Sequence, residues 1–102
     1  MSRRLATKLS FEAEVIEWRG PSPYFFAPIP AEQCATIREA AKLVSYGWGV
    51  IPVVATTGTV RFTTSLFPKD GGYLLPLKDA VRRQLEVTVG DVVEVVMTLG
   101  RS

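Results

Sequence analysis

The chain has 102 residues, 47% of them hydrophobic and 22% charged, with a formal net charge of +2. These are ordinary values for one globular domain, and they exclude a disordered chain, which carries fewer apolar residues and more net charge. One cysteine and no histidine exclude an internal disulfide, a His-based catalytic triad and a His/Cys zinc site.

Residues 1–8 carry Arg3, Arg4 and Lys8 without periodicity and read as a flexible basic terminus, leaving 9–102 as a single domain. No apolar stretch resembles a signal peptide or a membrane span, so a cytoplasmic protein that does not enter membranes is expected. From Leu9 the pattern alternates, with Leu9, Phe11, Ala13 and Val15 on one face and Ser10, Glu12 and Glu14 on the other, the period of a half-buried strand. Ile16 and Trp18 then continue the apolar pattern on the opposite face, which marks a bulge or a strand that changes sides. Gly20-Pro21-Ser22-Pro23 is a turn, and Tyr24–Ile29 a short aromatic strand.

Pro30 suits the first position of a helix. Over 31–46 the period changes: Cys34, Ile37, Ala41 and Val44 form one helical stripe, with Glu32 early, Lys42 late and Gly47 as the C-cap. Residues 50–56 and 60–66 form a hairpin about Thr57-Gly58. A loop follows over 67–72, containing Pro68, Lys69, Asp70 and Gly71-Gly72. Tyr73–Leu75 is a brief strand closed by Pro76, and 77–86 a second helix with Val81 and Leu85 facing inward. After a turn over 88–91, Val92–Leu99 forms the last strand. Its apolar residues on both faces would make it an aggregation-prone edge unless the sheet closes or is covered. The expected architecture is mainly β, a closed barrel of about six strands with two short helices.

Three segments together carry a resemblance: TTSLFPKDGGYLLPLKDAVR at 63–82, VTVGDVVEVVMTL at 87–99, and FEAEVIEW followed by YFFAPIP. The set resembles a prokaryotic family known as domain of unknown function nineteen-zero-five, over nearly the whole chain from Leu9 to Leu99. The resemblance implies a closed six-stranded barrel of complex topology, found alone or joined to a bacteriocin-resistance-associated domain that is not expected within these residues. It implies no activity, cofactor or catalytic residue. Gly90-Asp91, between a short helix and an alternating strand, is also similar to the GD box of cradle-loop barrels. That is an analogy of fold, which does not carry a function.

Arg61, Lys69, Lys78, Arg82 and Arg83 form the principal candidate site. Lys78 and Arg82 share a helix face, and Lys78 stands in the first helical turn, where the dipole disfavours a cation unless an anion is held there. Gly71 and Gly72 could admit a phosphate to the backbone. The alternative is a solvated face neutralised by Asp70 and Asp79. Ser65, Thr63 and Tyr73, with Trp48, could orient a ligand beside these cations, or could be a polar strand face with Trp48 as packing. Glu12 and Glu14 share a face as a carboxylate pair, or as an exposed edge. Gly90-Asp91 reads as a turn, Asp91 bonding backbone N–H. Cys34 reads as a small buried hydrophobe or, beside Arg38, a thiol.

The expected function is therefore a non-catalytic binding module for a small anionic or phosphorylated ligand, held by Arg61, Ser65, Lys69, Gly71, Gly72, Tyr73, Lys78 and Arg82. No cofactor, metal or catalytic residue is expected, and the missing nucleophile–base pair argues against an enzyme. Two rival readings stand. One is a protein-interaction or self-association module using Trp18, Tyr24, Phe25 and Phe26. The other is a nucleic-acid-binding barrel, which would need a longer basic footprint than this patch.

Overall fold

The computed structural model describes residues 8–18, 24–44 and 51–100. The expected turn at 20–23, Gly47, Trp48 and the terminus before Lys8 lie outside them. Seven strands form one sheet: β1 (Lys8–Glu14), β2 (Ile16–Trp18), β3 (Tyr24–Pro28), β4 (Ile51–Thr57), β5 (Val60–Lys69), β6 (Gly72–Pro76) and β7 (Val92–Leu99), with helices α1 (Ala31–Val44) and α2 (Asp79–Leu85). Every paired ladder is antiparallel, and the spatial order is β1-β7-β4-β5-β6-β3-β2.

The protein is mainly β with two helices, as expected. The barrel is not the closed six-stranded one, however, but a curled seven-strand half-barrel. The reason lies at Val15. The first strand breaks there, and its halves part: β1 pairs with β7 and β2 with β3. The Val15 N–H donates to the Asp91 carbonyl (2.8 Å), and the Gly90 N–H donates to the Val15 carbonyl (2.9 Å). The two ends of the sheet are thus one chain segment, pinned at its break to the turn before β7. The parity change from buried Phe11, Ala13 and Val15 to exposed Ile16 and Trp18 follows from that break.

The concave side of the sheet buries Phe11, Val15, Ile51, Val53, Leu66, Leu75, Val93, Val95 and Met97. Helix α1 closes this core with Cys34 and Ile37. Its stripe, read from three- and four-residue spacing, is realised at those positions and half-realised at Ala41. Two side chains tie α1 down: the Gln33 amide donates to the Ser10 carbonyl (3.2 Å), and Arg38 donates to the Gly71 carbonyl. Cys34 is buried and its thiol donates to the Ile29 carbonyl. Strand β7 lies between β1 and β4, so its backbone is paired on both sides. Val93, Val95, Met97 and Leu99 point inward, while Val92 and Val96 stay exposed on the outer face. There Glu94 stands opposite Glu12 and beside Glu14, an exposed acidic stripe. Among the described residues no helix is long and apolar enough to cross a membrane.

Both hairpins differ in detail from the sequence reading. Thr57 is buried and paired with Val60, so the first turn is Gly58-Thr59, with glycine at positive φ in its first position, the pattern of a II′ turn. The expected loop over 67–72 is instead a continuation of β5 through Lys69, which pairs with Gly72. Asp70 (φ 52°) and Gly71 (φ 80°) make a two-residue turn with both φ positive, the I′ pattern for which Asp-Gly is a preferred sequence. Pro68 is tolerated because it is exposed beside this turn. Gly71 and Gly72 therefore have different tasks. A methyl group on Gly71 meets open space but a forbidden φ, whereas one on Gly72 comes only to 3.4 Å from the Cys34 sulfur. Gly71→Ala is expected to cost about 1–2 kcal/mol, and Gly72→Ala within about 0.5 kcal/mol, as urea denaturation will read.

Candidate functional site

Strands β2 and β3 bring Trp18 opposite Tyr24. Their rings are stacked, with centroids 6.3 Å apart and planes 22° from parallel. Two residues along β3 on the same face, Phe26 lies 6.5 Å from Tyr24. Phe67 of β5 stacks on Phe26 at 5.6 Å and 24°. Phe26 is 6% exposed yet stands apart from the core cluster; its own aromatic neighbours cover it. The sheet thus carries a second, smaller apolar cluster outside its main core. Of the seven large apolar side chains left exposed among the described residues, four, Ile16, Trp18, Tyr24 and Phe67, belong to it.

Helix α2 supplies the polar margin. The Leu77 N–H donates to the Phe25 carbonyl (2.9 Å), which docks the start of the helix on β3. The Arg82 guanidinium lies 3.7 Å over the Phe25 ring. Its Nε donates to the Leu77 carbonyl (3.1 Å), and its Nη2 is paired with Asp79. Three contacts therefore hold one cation, whose side chain is 20% exposed. Among the described residues Nη1 has no hydrogen-bond partner. Lys78 is the N-cap residue of α2 and makes no capping bond with its side chain; it is exposed. The short helix ends on Glu86 in the left-handed conformation.

Between these parts lies a hollow of about 630 Å³. Trp18, Tyr24, Phe26 and Phe67 line it with Pro76 and Leu77, while Thr64, Lys78, Asp79 and Arg82 supply its polar atoms. A second hollow of about 280 Å³ shares Trp18, Phe26 and Phe67 and is bounded by Glu17 and Lys69.

The residues singled out from the sequence do not converge on one place. Lys78 and Arg82 border the larger hollow and Lys69 the smaller one. Lys69 is also paired with Asp70 at 3.8 Å, both side chains well exposed. Arg61 stands exposed near the other end of β5, roughly 26 Å from Lys69 along the strand at its usual rise. Ser65 and Thr63 border a third, separate depression with Pro52 and Gly100. Gly71 lies in the tight Asp70-Gly71 turn with its carbonyl taken by Arg38, and Gly72 is a β6 residue paired with Lys69. Tyr73 is half-buried against the core, and its carbonyl accepts the Ile29 N–H (3.1 Å). Arg83 is exposed on α2. Asp91 caps its own turn, its carboxylate accepting the Thr88 N–H (2.9 Å).

Of the four stacked rings, the sequence reading grouped Trp18, Tyr24 and Phe26, with Phe25, as an interaction patch and missed Phe67, which joins them only through a fold-level register.

A family model described as Domain of unknown function (DUF1905) matches residues 11–97. No curated protein matches the chain.

Proposed function

Since the chain belongs to the family described as Domain of unknown function (DUF1905), which assigns no activity, we propose from the geometry alone that it is a non-catalytic binding module for a small anionic ligand, seated in the larger hollow. The observation that carries this reading is Arg82. A guanidinium stacked on Phe25 and bonded to Leu77 is oriented before any ligand arrives, so little side-chain entropy is lost on binding. Its Nη1, without a partner among the described residues, and the exposed Lys78, whose side chain makes no capping bond, give two donors beside an apolar wall, the usual composition of a small-molecule site. Arg61, Ser65 and the Gly71-Gly72 pair take no part in this version. A cytoplasmic setting belongs to the same proposal, since Cys34 is a free, buried thiol that suits a reducing compartment.

The experiment is a thermal-shift screen of phosphates, nucleotides and small carboxylates. At a hundredfold excess over Kd a ligand adds about 2.7 kcal/mol, on the order of 10 °C for a domain of this size. Lys78→Ala, at an exposed position without a side-chain partner among the described residues, is expected to leave the unliganded melting point unchanged and to abolish most of the shift. Arg61→Ala and Ser65→Ala are expected to keep it. A wild type that no anion stabilises contradicts the proposal.

A second reading rests on the exposed Ile16, Trp18, Tyr24 and Phe67: the same face could join two copies. Sedimentation of the wild type against Trp18→Ser tests it. Phe25 is a poor probe, because it supports Arg82.

A further inference from the structure

Resting on the reading of the larger hollow as a ligand site, we infer that its occupant is a flat aromatic ring system bearing one small anionic group. Two observations select this class. The walls are rings in series, Trp18 near-parallel to Tyr24 and Phe26 to Phe67. Such faces favour another flat ring by offset stacking, beyond what burial alone gives an aliphatic chain. The charges then set the size of the anion. Asp79 balances Arg82, Asp70 balances Lys69, and Glu17 lines the smaller hollow. Among the described residues lining the larger hollow, only Lys78 brings an unbalanced positive charge. A polyanion laid across both hollows would meet Glu17, Asp79 and little net attraction, so a nucleic-acid strand is disfavoured. A volume of about 630 Å³ suits a single small molecule.

A ring with an anion can be a nucleoside monophosphate or an aryl carboxylate, and the test separates them. Calorimetric titrations of the full chain use AMP, 2-naphthoate, hexyl phosphate, inorganic phosphate and a ten-residue oligothymidylate. AMP or 2-naphthoate is expected to bind at least about tenfold tighter than hexyl phosphate, the increment of one good stacking contact, and the tighter of the two names the source. Trp18→Ala is expected to erase that preference, costing AMP or 2-naphthoate about tenfold more in affinity than it costs hexyl phosphate; Phe67→Leu repeats the comparison at a second ring. Hexyl phosphate or inorganic phosphate binding as tightly as AMP and 2-naphthoate overturns the ring but leaves the anion site standing. Oligothymidylate binding tighter than AMP overturns the small-ligand class. If nothing binds, both readings fall.

Discussion

Val15→Pro is expected to destabilise the protein by about 3–5 kcal/mol, enough to unfold much of a domain whose whole stability is on that scale. Proline removes the N–H that reaches the Asp91 carbonyl, in a segment where the Gly90 N–H returns to the Val15 carbonyl. The carbonyl of Asp91 then loses its partner at the point where the two ends of the sheet meet. The side chain is fully buried, so packing is lost as well. Val15→Ala separates the two effects. It keeps both hydrogen bonds and removes only two methyl groups, for about 2 kcal/mol. Urea denaturation of the two variants measures the difference. Equal losses would mean that the junction's hydrogen bonds contribute nothing beyond packing.

Arg82→Ala is expected to cost about 2 kcal/mol, the second-largest effect. The stack over Phe25 and the bond to the Leu77 carbonyl supply most of it. The pair with Asp79 adds little, because that carboxylate is 72% exposed and exposed pairs are screened. Hence Asp79→Asn is expected to change stability by less than about 0.5 kcal/mol. Arg82→Lys is expected to behave more like the alanine variant than like the wild type, since an ammonium cannot stack flat and bond sideways together. Thermal melts of the three variants give the order. A lysine variant as stable as wild type would show that charge, not the planar group, matters here.

Local periodicity carried most of the secondary structure. Alternation placed Val92–Leu99 at the bounds the strand has, and the stripe through Cys34 and Ile37 picked out the buried face of α1. Even the break at Val15 left a trace, as the parity change at Ile16 and Trp18. That the sheet stays a half-barrel did not show, because the pairing of β1 with β7 joins residues distant in the chain. The turn is Asp70-Gly71, the stronger signal, and not Gly71-Gly72; β5 therefore runs on through Lys69 and holds Arg61 and Lys69 apart, where a loop over 67–72 would let them approach. Lys78 and Arg82, four residues apart on a helix, were legible as neighbours for the opposite reason: their relation is local. Phe67 reaches the other three rings only across β6, through ladders that no spacing in the sequence encodes.

We propose that the ligand sits in the hollow between the stacked rings and α2, and NMR shifts of the backbone amides and the indole N–H during titration with AMP locate it. The largest perturbations are expected on the Trp18 indole, Tyr24, Phe67 and the 77–82 segment, with Arg61 and Ser65 unmoved. Perturbations centred on Arg61 and Ser65, or none at saturating AMP and 2-naphthoate, would contradict it.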